Sequence, residues 1–229
     1  MERLYLALVE AALETIPQEI VSHEVIVRDA RRRGKEPKHL ILDRSRHHKA
    51  MLKLERSEKR GRPDIIHQSL LATQYSLLNH YGKLKVYIHT LNDYVIDVNE
   101  KTRIPKNYNN FIGLMEQLFM IGRIPPKGKP LMILHKMSLE ELLRKVKPTH
   151  TILLDDIHGV ESNFQEVAAK IVNQDKPLIM IGAFPHGTFS EETYKLADEV
   201  LKIGHYVYDT WIITCKLLTY IEYRLGLEL

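Results

Sequence analysis

The chain of 229 residues has one cysteine, Cys215. That excludes an intrachain disulfide and a cysteine-built zinc site, and it fits a reducing compartment, by default the cytosol. No run approaches about 20 apolar residues, so no segment is predicted to cross a bilayer. The opening MERLYLALVEAALETIPQEI carries Glu2, Glu10 and Glu14 and lacks an uncharged apolar core, so it reads as strand and helix rather than as a signal peptide. Neither G-x-x-x-x-G-K-S/T nor G-x-G-x-x-G occurs, which removes support for nucleoside triphosphate and common dinucleotide binding. The histidines, among them the adjacent His47 and His48, show no H-E-x-x-H or other ligand spacing, so no metal is expected. No Ser or Cys stands in a nucleophile elbow, and covalent catalysis has no evident carrier.

What is present is a hydrophobic content of 44%, enough for a core that folds unaided. The net charge of +4 is unevenly placed. Between Arg28 and Arg62 stand fourteen basic residues against five acidic ones, so the rest of the chain is net acidic. Such asymmetry is a footprint for phosphate backbone, although a charge run is also what any solvated face looks like.

Apolar runs of strand length alternate with helical periodicity, the pattern of a mostly parallel sheet flanked by helices in an α/β fold. Strands are predicted near Leu4–Val9, His39–Leu42, Leu84–Thr90, Tyr94–Val98, Leu131–His135, Thr151–Leu154, Leu178–Ile181 and Val200–Ile203. Helices are predicted over Gln18–Arg33, Pro63–His80, Phe111–Ile121, Leu139–Val146, Phe164–Asn173 and Thr210–Leu225. Asn92–Asp93 reads as the turn of a hairpin covering about 84–99. Pro125 to Pro130 reads as a linker between a basic front and an α/β back. Ligands on such sheets bind beyond the carboxyl ends of the strands, which directs attention to the residues after Leu154 and Ile181.

Three segments could carry chemistry. In G-R-P-D-I-I-H (61–67), Pro63 suits the first helical position and Asp64 the positive end of the helix dipole. Arg62 and Asp64 can pair across Pro63, which would fix the guanidinium fork for a planar base or a phosphate. A plain surface ion pair at a helix start is the competing reading. In T-R-I-P-K-N-Y-N-N-F (102–111), Arg103 and Lys106 can present two cations to RNA and Tyr108 a ring for stacking. The competing reading there is a basic loop anchored by Phe111. In I-G-A-F-P-H-G (181–187) the glycines allow close backbone approach to a ligand, or simply make a turn. Asp155–Asp156–Ile157–His158 is read as a polar loop capping the helix at Phe164, with cation binding or acid–base work as the lesser alternative.

Taken in order, G-R-P-D-I-I-H, T-R-I-P-K with F-I-G-L-M-E-Q-L, and I-G-A-F-P-H-G resemble the Nep1/Emg1 family of ribosome-biogenesis methyltransferases. The likeness begins with A-L-E-x-I-P at residues 12–17 and L-D-x-x-x-H at 42–47 and runs over nearly the whole chain. The resemblance implies a SPOUT (α/β knot) fold whose C-terminal part forms a deep trefoil knot, an exception to the rule that chains do not thread loops. It implies a single domain over residues 1–229, with a basic RNA-binding extension at about 43–62. It further implies a cytoplasmic homodimer that uses S-adenosylmethionine, without a metal, to methylate N1 of a pseudouridine in small-subunit rRNA. The partners implied are an rRNA stem-loop, a second copy of the chain and small-subunit ribosomal proteins.

Carried over by motif, Arg62 would be the substrate-site arginine and Asp64 its positioning carboxylate, the pair counted as catalytic. Arg103, Lys106 and Asn110 would contact RNA. The last two replace arginines typical of eukaryotic members, which suggests a differently distributed grip. Leu154, Gly182 and Gly187 would line the cofactor site, with Gly204, His205, Tyr206, Val207, Tyr208 and Asp209 closing over it. Relatives often carry a Pro-Leu-Ser-like pattern in that last segment. A non-catalytic rRNA-binding assembly factor with a vestigial cofactor pocket is the alternative function. An α/β nucleotide-binding enzyme of another class is disfavoured by the missing phosphate loops.

Overall fold

The computed structural model describes residues 1–227. Its strands are β1 (Leu4–Ala11), β2 (Leu84–Thr90), β3 (Tyr94–Val98), β4 (Arg123–Ile124), β5 (Met132–Lys136), β6 (His150–Leu154), β7 (Val160–Ser162), β8 (Pro177–Gly182) and β9 (Glu199–Ile203). The α-helices are α1 (Glu24–Arg33), α2 (Arg44–Met51), α3 (Pro63–Gln74), α4 (Leu77–His80), α5 (Tyr108–Ile121), α6 (Leu139–Val146), α7 (Phe164–Val172), α8 (Glu191–Lys195) and α9 (Thr210–Arg224).

All nine strands join one sheet in the order β4-β5-β3-β2-β1-β8-β6-β9-β7. From β2 through β7 along that order the ladders are parallel, and the β4-β5-β3-β2 end is antiparallel. The central strand β1 reads as a nearly continuous apolar run because helices cover both of its faces. Its Leu4, Leu6 and Leu8 pack with α3, α5, α7 and α9, while Ala7 and Val9 pack with α6 and Phe189 on the other side. A third cluster lies outside the sheet, where Ile16, Ile20, Ile26, Leu40, Leu42 and Met51 give the basic front of the chain a small core of its own.

Several expectations are corrected. No strand forms at His39–Leu42. Pro37 starts a 3-10 turn over Pro37–His39, and the apolar run after it makes a lone antiparallel bridge, Thr15 to Ile41. The helix expected over Gln18–Arg33 begins as a 3-10 turn at Gln18–Ile20 and becomes α-helical only after the His23 ring accepts the Val25 N–H. The helix expected over Pro63–His80 breaks because Ser76 caps a second helix, accepting the Asn79 N–H. Helix α5 starts three residues before Phe111, capped by Asn107. Helices α2 and α8 and strands β4 and β7 were not expected. Residues 125–130 do not divide the chain, since β1 pairs with β2 before that stretch and with β8 after it. The hairpin β2–β3 is an integral part of the sheet.

Candidate functional site

Three distant segments meet beyond the carboxyl end of β1. The Ala12 N–H donates to the Ala183 carbonyl at 2.9 Å, and the Arg62 N–H donates to the Ala12 carbonyl at 3.1 Å. At the start of α9 the Thr210 hydroxyl donates to the Gly182 carbonyl at 2.7 Å. Arg62, the glycine loop and the C-terminal helix are thereby tied to one region.

Arg62 caps α3, with Pro63 at the first helical position. Its Nε donates to Asp64 Oδ1 at 2.8 Å and its Nη2 to Oδ2 at 2.7 Å. Hydrogen bonding to Asp64, with smaller contributions from Asp209 and Tyr108, holds the guanidinium pKa above its ordinary value. Asp209 thus lies near enough to Arg62 to act on it electrostatically. Just before Arg62, Gly61 has φ +71°, and a Cβ there would come within 2.7 Å of Met51 Cε, so this position suits glycine alone.

The segment around Arg103 is pinned from beneath. Thr102 and Ile104 are buried, the Thr102 hydroxyl donates to the Leu131 carbonyl, and His67 Nε2 donates to the Pro105 carbonyl at 2.7 Å. The His67 ring stacks on Phe111 at 4.5 Å. Arg103, Lys106 and Asn110 are left exposed. Arg103 and Lys106 have no side-chain partner among the described residues. The ring of Tyr108 is partly buried against the core and tilted against His67, with centroids 5.9 Å apart. Its hydroxyl donates to Asp43 Oδ2 at 2.8 Å, and burial together with that carboxylate raises its pKa. Asp43 also caps α2, and its backbone N–H donates to His47 Nδ1. The L-D-x-x-x-H motif is therefore a bracket joining the basic front to α5.

A cavity of about 370 Å³ opens at the carboxyl ends of β6, β8 and β9. Leu154, Gly182, Gly187, Tyr206, Val207 and Tyr208 are among the residues that line it. Gly204 and His205 are not. The Gly204 N–H donates to the Ser162 carbonyl, and His205 pairs with Glu161 at 3.1 Å, because the chain leaves β9 along its partner β7 before turning over the cavity. Asp209 also lies outside the lining. Leu201 and Ile203 also line the cavity; alternation along β9 turns both toward it, a signal that strand periodicity could have supplied. A Cβ on Gly182 would lie 2.8 Å from Phe189 Cζ, so the loop packs against this strand end only without a side chain there.

Asp155, another cavity residue, caps its own turn rather than α7, whose cap is Asn163. It accepts the N–H groups of Ile157 and His158 and the Tyr194 hydroxyl, the last at 2.7 Å. Burial alone would raise its pKa; the Tyr194 hydroxyl and the two amides outweigh that and lower it. No group of His, Cys, Asp and Glu suited to a metal ion occurs among the described residues.

Comparison with known proteins agrees with this geometry. A family model described as EMG1/NEP1 methyltransferase matches residues 6–222. The chain belongs to the EMG1/NEP1 methyltransferase family. A ribosomal RNA small subunit methyltransferase Nep1 of Pyrobaculum islandicum is 47% identical over 98% of this chain and 100% of its own length. The protein of that name from Staphylothermus marinus is 42% identical over 97% and 96%. The crystal structure of Archaeoglobus fulgidus Nep1 bound to S-adenosylhomocysteine superposes with a TM-score of 0.85 at 38% identity, covering 99% of this chain and 100% of that one. The walls of the strand-end cavity include the apolar Leu154, Leu201, Ile203 and Ile213, with Gly182 and Gly187 beside them.

Proposed function

We propose that this chain is an S-adenosylmethionine-dependent rRNA methyltransferase that modifies N1 of a pseudouridine in the small ribosomal subunit. One observation carries the reading. A guanidinium locked by a carboxylate sits on backbone that is hydrogen-bonded through Ala12 to Ala183, next to Gly182, which lines the cavity and accepts the hydroxyl of Thr210, another cavity residue. Family membership and the S-adenosylhomocysteine complex of the A. fulgidus relative support the cofactor.

The residues of the cavity fit that cofactor: apolar strand ends for the adenine, glycine backbone for close approach, and the Tyr206–Tyr208 segment as a cover. Bound there, the cofactor supplies an electrophilic methyl group. The chain's own residues do the rest. Pseudouridine is linked through carbon, so its N1–H is free, and loss of that proton leaves negative charge shared with a neighbouring carbonyl oxygen. Arg62 stabilises that charge with a preorganised fork. Asp64 orients Arg62, since both of its oxygens are occupied by the guanidinium. Arg103, Lys106 and Asn110 hold the RNA strand, and the remaining acceleration comes from alignment of nitrogen and methyl.

The finer architecture belongs to the same reading. The C-terminal part forms the trefoil knot, supported by β9 lying between β6 and β7, which are consecutive in the chain. The β6–β7 connection crosses β9 so closely that a Cβ on Gly159 would sit 2.4 Å from the Leu201 carbonyl carbon. The protein acts as a cytoplasmic homodimer, supported by exposed Ile212 and Tyr223 on α9 and Tyr75 after α3. No described helix is long and apolar enough to cross a membrane.

The test is transfer of labelled methyl to a small-subunit rRNA stem-loop. Transfer to the pseudouridine form and none to the uridine form is expected, and equal labelling of both would overturn the base assignment. Binding of RNA without measurable S-adenosylhomocysteine affinity would instead mark an assembly factor.

A further inference from the structure

Lys59 ends the short 3-10 turn Ser57–Lys59 of the basic front, yet it is only 3% exposed. Its ammonium pairs with the buried carboxylate Glu10 Oε2 and donates to the Thr188 carbonyl at 2.5 Å. It also lies 3.9 Å from the centre of the Phe184 ring, a desolvated cation–π contact. Its methylenes are the atoms nearest the open side of Gly187. Glu10 completes the clasp: Oε1 accepts the Ser190 N–H and the Thr193 hydroxyl, each at 2.8 Å. Phe184, Gly187 and Phe189 are walls of the strand-end cavity. One side chain from the RNA-facing front thus holds the cofactor loop from beneath, three residues before Arg62.

The segment from Lys59 to Asp64 has little freedom to move in parts. Arg60 grips Glu14 through Nε and Nη2 at 2.7 and 2.6 Å, and Gly61 accepts the Arg44 N–H. Ordering Arg62 against a bound base therefore orders Lys59 as well, and with it the loop 184–190.

We propose that Lys59 is a positioning residue that couples the two substrates, so that RNA bound at Arg62 tightens the cofactor loop and raises cofactor affinity. The inference rests on the functional reading above but concerns a residue that takes no part in the chemistry. Linkage requires the effect to be reciprocal: S-adenosylhomocysteine must raise RNA affinity by the same factor.

The test measures S-adenosylhomocysteine affinity by calorimetry with and without a saturating pseudouridine stem-loop, and RNA affinity with and without S-adenosylhomocysteine. Wild type should show a coupling factor of about tenfold in both directions. Lys59→Met should bring it to about one while RNA affinity without cofactor stays within about twofold, a split that general loosening of the fold would not produce. If that variant is unfolded, Glu10→Gln/Lys59→Met, which leaves no orphaned buried carboxylate, carries the measurement. Hydrogen exchange on wild type needs no variant: RNA alone should slow the amides of Phe184–Ser190. Wild-type coupling of one, full coupling in the variants, or unchanged exchange in that loop each overturns the proposal. Methyl transfer by wild type, measured alongside, shows whether the functional reading stands in any of those cases.

Discussion

Arg60 and Arg62 stand two residues apart, and each grips a carboxylate through Nε and Nη2 at hydrogen-bond distance. The Arg60–Glu14 pair is largely withdrawn from water, at 15% and 5% side-chain exposure, and Asn92 adds a third donor to Glu14. The Arg62–Asp64 pair keeps 33% and 38%. Identical chemistry therefore has two uses. In the first pair both carboxylate oxygens and two of the guanidinium nitrogens are engaged within the fold, and the ion pair is a strut between the basic front and the end of β1. In the second, solvent reaches the fork, leaving it open to an incoming base. Burial rather than residue type separates the two.

The largest expected effect would break the strut. Glu14→Ala leaves a mostly buried guanidinium uncompensated and should cost about 3–5 kcal/mol of stability, read from urea unfolding. A loss near that of a surface pair would erase the contrast. Next, Arg62→Ala should leave stability within about 1 kcal/mol while lowering methyl transfer 10²–10³-fold, about 2.7–4 kcal/mol of transition-state stabilisation. If that variant loses stability and activity together, the two pairs are alike and the catalytic assignment fails.

The buried side should also carry the acid sensitivity. Burial lowers the pKa of His47 and of His89 below 6.5, more than Asp29 and Asp93 restore. The unfolded chain then takes up these protons first as pH falls. Stability contributed by the two neutral imidazoles is complete above about pH 6.5 and declines below it, by at most about 1.4 kcal/mol per pH unit for each proton. Glu10 sharpens the loss further down. Burial would raise its pKa, but hydrogen bonds from Lys59, Ser190 and Thr193 lower it on balance, so its share is lost as pH drops below about 4.5. Unfolding midpoints that stay flat from pH 7.5 to 5 would contradict this. The smallest effect lies on the open side: Arg103→Ala should lower the slope of log affinity against log salt by about 0.7, with no measurable change in stability.

Legibility followed the range of the forces involved. The hairpin strands Leu84–Thr90 and Tyr94–Val98 and helix Leu139–Val146 match their sequence expectations residue for residue, because alternation, a turn at Asn92–Asp93 and a capping box at Ser138 and Glu141 act over a few residues. The Arg62–Asp64 pairing was readable for the same reason. Helix α2 was not: R-S-R-H-H-K-A-M shows no apolar stripe, and it forms because Asp43 caps it while Ala50 and Met51 are drawn into the third cluster and His47 is buried beside them. The bond from the Tyr108 hydroxyl to Asp43, distant in sequence, was not readable either. In the cavity, the glycines and the residues after Leu154 were visible, and alternation along β9 offered Leu201 and Ile203, but only strand order brings β9 beside β6 and so places them in the same wall.

By itself the sequence determined the class of fold, the helix start that locks Arg62 to Asp64, the glycine loop after β8 and the basic front, since each follows from neighbours within a turn or a strand. The tertiary structure decided that β8 lies between β1 and β6, that Lys59 is buried against the 184–190 loop while Arg103 faces water, and which strand ends enclose the cavity. Parallel strands pair across long stretches of chain, and burial is a property of everything packed around a side chain. Neither is written in any local run of residues.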